Sequence, residues 1–284
     1  MSLRNQASDA TGGLLGDTAS RDYSSKLSLF NEFAEPELRQ AVDSLALEPG
    51  MRVLDAGCGT GEALGWLRRA VDPDGSVLGM DLSAAHVAAA RRGRPPEVGV
   101  LQANLWQMPF AAGSFEVIWC VNTINHLHDP GLGVERLAAL LSPHGRIALG
   151  QSSFLPEMYF AWDARLERQT NEAVRAYYHD RYCVSERDLT KIRGLVGLLR
   201  RAGLPRVQAR TYSIERITPL EPATERYLLD AIFRGTWGER LRPYMSGEDY
   251  AELSSLCNPQ DPGFALRRPD FHFLQTFTLV VGGL

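Results

Sequence analysis

Short apolar runs alternate with amphipathic stretches over the first half of the chain, at an interval that suits strands separated by helices. Arg52-Val53-Leu54-Asp55-Ala56 is a compact run that ends in a glycine turn, and it predicts a first strand over 52–56. Ser76 to Met80, Val98 to Gln102, Phe115 to Val121 and Gly145 to Gly150 repeat the pattern as strands two to five. Between the early strands, Glu62 to Ala70 and the alanine-rich Ala84 to Arg92 read as helices, and Asp72-Pro73-Asp74-Gly75 as a turn. Upstream, Leu27, Phe30, Phe33, Leu38, Ala41 and Leu45 recur at helical spacing, with Pro36 dividing two helices. Alternation at this interval implies βαβ crossovers and a parallel sheet covered on both faces.

After strand five the rhythm changes. The stretch from Ser152 to Arg187 is long and aromatic, with Phe154, Tyr159, Phe160, Trp162, Tyr177, Tyr178 and Tyr182. A helix from Leu189 to Ala202 and a sixth strand from Val207 to Ile214 then resume the alternation. Helical patterning interrupted by Pro219, Pro222, Pro243 and Pro259 precedes a final strand from Phe271 to Val281. The expected fold is α/β: a doubly wound, mostly parallel, seven-stranded sheet with helices on both faces. Helical and aromatic insertions follow strand five and separate strands six and seven.

Gly57, Gly59 and Gly61 fall at alternate positions after the first strand. The dinucleotide fingerprint places its third glycine one residue later, where this chain has Glu62, so a pyrophosphate cradle is disfavoured. S-adenosylmethionine uses the same strand, glycine turn and second acidic strand end, and it has ribose hydroxyls and an amino acid tail but no phosphate. Through Val53-Leu54-Asp55-Ala56-Gly57-Cys58-Gly59-Thr60-Gly61 the chain resembles the class I (Rossmann-like) S-adenosylmethionine-dependent methyltransferases. The likeness extends over roughly 52–150 and is to the small-molecule, ubiquinone-biosynthesis (methyltransferase type 11) group.

The resemblance implies a set of cofactor contacts. Asp55, Gly57, Cys58, Gly59 and Gly61 would sit against the methionine portion. Asp81, followed by Leu82, ends strand two about twenty residues past the glycines, where a carboxylate accepts from ribose hydroxyls. Ala103, Asn104 and Leu105 match the stretch that addresses adenine, with Asn104 where an Asp is common and Leu105 on the ring face. Cys120 and Asn122 belong to the segment after strand four that lines the transfer side, and Tyr23 would reach the cofactor carboxylate. His126, just past strand four, is the candidate general base for an acceptor that must lose a proton. A capping or packing role for the same histidine remains open. Asn122 is followed by Thr123 and not by the Pro-Pro-aromatic run of base and glutamine methyltransferases, which argues against those acceptors.

Residues 1–20 would form a mobile tail and 21–284 a single methyltransferase domain, with its cofactor-binding half at 48–150 and lid insertions at 152–187 and 217–268. The cofactor implied is S-adenosylmethionine, its product S-adenosylhomocysteine, and no metal. The alternative is a regulatory or partner protein that binds the cofactor without turnover.

Composition narrows the partners. A net charge of −4 with basic residues only in short groups supplies no cationic stripe for a nucleic-acid backbone. Lys26 and Lys191 are the only lysines among the 30 basic residues. Cys58, Cys120, Cys183 and Cys257 have no paired spacing, so neither zinc site nor disulfide scaffold is indicated, and a cytoplasmic setting is expected. No apolar run approaches the ~20 residues of a membrane helix. The expectation is a monomer or homodimer acting on a small molecule, without nucleic acid or membrane.

Overall fold

The computed structural model describes residues 18–153, 158–160, 162–185 and 191–284. The tail expected at 1–20 lies outside these as far as residue 17, as do Phe154, Arg187 and the start of the helix expected from Leu189.

Strands β1 (Arg52–Ala56), β2 (Ser76–Asp81), β3 (Gly99–Gln102) and β4 (Phe115–Val121) pair in parallel in the order β3-β2-β1-β4. β5 (Leu141–Ser152) continues the parallel set beyond β4, and β8 (His272–Gly283) runs antiparallel to it. β7 (Arg206–Ile217) forms a long antiparallel pair with β8 on the far edge. Among the described residues the sheet has eight strands, where seven were expected. The extra one, β6 (Tyr159–Phe160), is two residues long. Phe273 of β8 faces Phe160 on one edge and Arg216 of β7 on the other, so β6 lies in line with β5. A two-residue strand inside an aromatic insertion has too short an alternation to be read from sequence.

Both faces are covered. Strand alternation sends Val53, Val117 and Trp119 into one core with α1 (Ser24–Phe33), α2 (Glu35–Asp43), α3 (Glu62–Val71) and α4 (Ala84–Gly93). Leu54, Ile118 and Cys120 point the other way, against α5 (Pro130–Ala138) and α7 (Leu195–Arg201), with α6 (Ala164–Tyr182) lying between these two in sequence. Pro36 occupies the first turn of α2, where its missing N–H costs nothing, and Glu35 and Glu37 complement the helix dipole there.

The insertions extend the first core. α8 (Pro222–Arg226) passes directly into a π-helical segment, Tyr227–Trp237, and α9 (Gly247–Cys257) follows. Tyr227 stacks on Phe33 of α1 with ring centroids 4.3 Å apart, and Phe160 stacks on Trp162 at 4.5 Å. Arg216 of β7 clamps Glu37 with two hydrogen bonds of 2.8 and 3.0 Å and also donates to the Phe33 carbonyl at 2.8 Å. The α1–α2 corner is thereby fixed to the sheet edge.

Candidate active-site cleft

The carboxyl ends of β1, β2 and β4 meet where the strand order reverses, and a cleft of about 1260 Å³ including its open mouth lies there. Of the residues singled out in the sequence, Tyr23, Asp55, Gly57, Cys58, Gly59, Asp81, Leu82, Ala103, Asn104, Leu105, Asn122 and His126 line it. Gly61 and Cys120 do not. Gly61 has φ +89°, and a Cβ there would come within 2.8 Å of the Ala90 Cβ, so this glycine lets α3 approach α4. Cys120 belongs to the opposite face of β4, whereas its neighbours Trp119 and Val121 line the cleft.

Asp81 organises the cleft floor. Its Oδ2 accepts the Gly59 N–H at 2.9 Å and its Oδ1 accepts the Ser83 N–H at 2.9 Å. The ring of His86 lies 3.2 Å from Oδ1 through Nδ1. Nε2 of that ring accepts the Tyr23 N–H at 3.4 Å, which leaves Nδ1 to carry the proton and donate to Asp81, a tautomer assigned from the partners. Tyr23 also meets the His86 ring edge-on at 4.4 Å. Ser83 caps α4 through the His86 N–H and donates to the Arg21 carbonyl at 2.6 Å. The segment before α1 is thus tied to the end of β2.

The other walls are similarly fixed. Gly57 has φ +84°, and the Thr123 hydroxyl occupies the space its Cβ would need. Asn104 Oδ1 accepts the Trp106 N–H at 2.9 Å, closing a turn after β3. Asn122, with φ +52°, accepts the Ser152 N–H and the Gln151 amide at 2.8 and 3.0 Å, so its side chain joins β4 to the end of β5. Glu62 receives Ser28, Asn31 and Thr60, which holds α1 over the glycine turn. His126 closes the short 3-10 turn Ile124–His126 and faces the cleft half-buried.

Electrostatics give the cleft its character. Burial pushes the Asp55 carboxyl well above its usual value, and the neighbouring charges of Asp81 and Glu62 push it further. Burial likewise pushes up the Cys58 thiol, which disfavours its thiolate. Three acidic side chains, Asp55, Glu62 and Asp81, line the cleft, and no Lys or Arg is among its described lining residues.

Sequence reasoning missed His86, which looked like an ordinary residue of an alanine-rich helix, and Trp119. It placed Leu27 and Phe30 on the apolar stripe of a helix without linking them to the cleft they line. The signal for the last pair was present: with Tyr23 they stand at i, i+4 and i+7, one face of a helix.

Residues 53–145 match a family described as methyltransferase domain. The chain is 27% identical over 199 residues to the methyltransferase GfsG of Streptomyces halstedii, covering 68% of this chain and 66% of that protein. It is 34% identical over 113 residues to a 2-phytyl-1,4-naphtoquinone methyltransferase of Thermosynechococcus vestitus, covering 39% and 50%. The chain spans less than two thirds of the length of these relatives. The YcgJ protein of Bacillus subtilis has a similar fold, with a TM-score of 0.53 at 18% identity over 88% of this chain and 98% of that one.

Proposed function

Since the chain carries a class I, S-adenosylmethionine-dependent methyltransferase domain, we propose that it transfers a methyl group from S-adenosylmethionine to a small-molecule acceptor. The observation that carries this reading is the cleft's charge. S-adenosylmethionine is a sulfonium cation without phosphate, and a cleft with the Glu62 and Asp81 carboxylates and no Lys or Arg among its described lining residues favours it over a dinucleotide. The names of the relatives, one of which methylates a naphthoquinone, support a small-molecule acceptor.

Asp81 would hold a ribose hydroxyl, since Gly59, Ser83 and His86 use about three of the roughly four lone-pair sites of a carboxylate and leave about one. Asp55 and the glycine turn would lie against the methionine portion, Asn104 and Leu105 against adenine, and Tyr23 would close the cleft from α1. When bound, the cofactor supplies an electrophilic methyl group. The protein's task is then to align the acceptor and exclude water, which the aromatic insertions would do as lids. His126 faces the cleft beside β4, where it would accept the proton of a hydroxyl or acidic carbon.

Calorimetric titration with S-adenosylhomocysteine and, separately, with NADH tests the reading. Binding of the first in the micromolar range and none of the second is expected. The reverse order of affinity, or no binding of S-adenosylhomocysteine to folded protein, overturns it.

A further inference from the structure

The charge of the cleft leaves one end of the proposed donor without a partner. Its amino acid head carries an ammonium and a carboxylate, yet no Lys or Arg is among the described lining residues. Neutral donors have to take the carboxylate, and the glycine turn has few to give. The Gly57 and Cys58 N–H groups both go to the Met80 carbonyl, that of Gly59 to Asp81, and that of Gly61 to the Cys58 carbonyl. Lining side chains are similarly engaged: the Asn31 amide donates to Glu62 at 2.9 Å, the Asn122 amide to Ser152 at 3.3 Å, and the Thr123 hydroxyl to the Val121 carbonyl at 3.0 Å.

Trp119 supplies a donor that is not engaged. In the parallel pairing of β1 with β4 it stands directly opposite Asp55, so the two side chains project from the same face of adjacent strands. Both line the cleft, at 2% and 3% exposure. Among the described residues neither the Trp119 indole N–H nor the Asp55 carboxyl has a hydrogen-bond partner. The indole nitrogens of Trp162 and Trp237 also lack partners but are sealed in the core, whereas that of Trp119 stays open to the cleft. Burial raises the Asp55 pKa, and a cation at that carboxyl offsets the shift. A buried N–H donor and a buried carboxyl, side by side, unpaired and turned to one cavity, match an α-amino acid head, whose carboxylate and ammonium share one carbon. Tyr23 packs edge-on against His86 on the β2 side of the cleft, while Trp119 stands beside β1, where the methionine portion is placed.

We propose that Asp55 and Trp119 clamp the amino acid head of the methyl donor, the Trp119 indole N–H donating to its carboxylate while Asp55 accepts from its ammonium. The inference rests on the methyltransferase reading, which it deepens by giving the carboxylate a residue outside the glycine and strand-end motifs. The clamp selects the donor against nucleosides that share its adenosine and sulfur but lack the head. Both anchors are strand residues of the central sheet, so they hold the head more precisely than loop residues would.

Calorimetric titration of the full chain with S-adenosylhomocysteine, its decarboxylated analogue and methylthioadenosine, which lacks the whole amino acid, tests the clamp. Trp119→Phe removes the N–H and keeps a ring. It is expected to weaken S-adenosylhomocysteine by at least about tenfold, the scale of a hydrogen bond to a charged group, and to leave the other two ligands within about twofold of the parent. Asp55→Asn is expected to weaken the two ligands that carry the ammonium and to spare methylthioadenosine. Equal weakening of all three ligands by Trp119→Phe, or unchanged affinity for S-adenosylhomocysteine, overturns the clamp. Should Trp119→Phe fail to fold, the indole N–H resonances of the unaltered protein decide. The Trp119 signal is expected to move downfield with S-adenosylhomocysteine and to stay in place with the decarboxylated analogue; the same response to both ligands overturns the clamp. Failure of the unaltered, folded protein to bind either S-adenosylhomocysteine or methylthioadenosine overturns the donor reading instead, so the two failures are distinct.

Discussion

The Asp81 carboxylate accepts the Gly59 N–H at 2.9 Å, which bonds the end of β2 to the turn that follows β1. One side chain therefore shapes the cleft floor and presents the acceptor atoms proposed for the ribose. Asp81→Ala is expected to weaken S-adenosylhomocysteine binding by about 1.5–3 kcal/mol, the scale of hydrogen bonds to a charged group. His86→Ala removes one donor from the same carboxylate and is expected to cost less, about 0.5–1.5 kcal/mol. Calorimetry on both variants checks the order; equal affinity of Asp81→Ala and the parent would put the ribose elsewhere.

Gly57 has no room for a side chain, for two separable reasons. Its φ of +84° disfavours an L-residue by about 1–2 kcal/mol, and a Cβ would stand 2.1 Å from the Thr123 hydroxyl. Gly57→Ala is expected to lower the unfolding midpoint in urea. Adding Thr123→Gly should return only the steric part, leaving the backbone part in place. Full recovery in the double variant would mean that the left-handed turn relaxes at no cost.

Arg216 holds the α1–α2 corner to β7 through both oxygens of Glu37 and the Phe33 carbonyl, with both side chains largely buried. Removing the guanidinium strands a carboxylate and a helix-end carbonyl. Arg216→Met is expected to destabilise by about 2–4 kcal/mol, and Arg216→Lys to recover little because a single ammonium cannot form the fork. Chemical denaturation of both variants is the check, and restoration by lysine would contradict the bidentate account.

The legible parts of this fold share a physical property. β1 and β4 are short and buried along most of their length, so Arg52–Ala56 and Phe115–Val121 can be read to the residue. α6 is harder: its buried positions Leu166, Thr170, Ala173 and Val174 form one thin stripe among charges and tyrosines. The segment Tyr227–Trp237 was legible as helical patterning, but its π-helical winding was not, since the apolar spacing alone does not distinguish it from an α-helix. In the cleft, residues carried by the glycine turn and strand ends were legible because the backbone demands them. His86 was not, since its role comes from the Tyr23 and Asp81 partners that only the fold brings together.

Lys26 gives the last prediction its sign. Its folded pKa of about 8 lies below the ordinary lysine value of 10.5, so the folded state holds this proton less firmly than the unfolded chain does. Below pH 8 both states are protonated and the folded state carries the cost of a partly desolvated cation near Arg240 and Arg21. Between pH 8 and 10.5 the unfolded chain binds more proton, and the folded state gains stability from this group as pH rises. Lys26→Met is therefore expected to melt at a higher temperature than the parent at pH 7, with a difference that shrinks as pH climbs through 8 toward 10.5. Thermal unfolding at stepped pH measures it. A variant less stable than the parent at pH 7, or a difference independent of pH, would mean that the ammonium is solvated and unstrained.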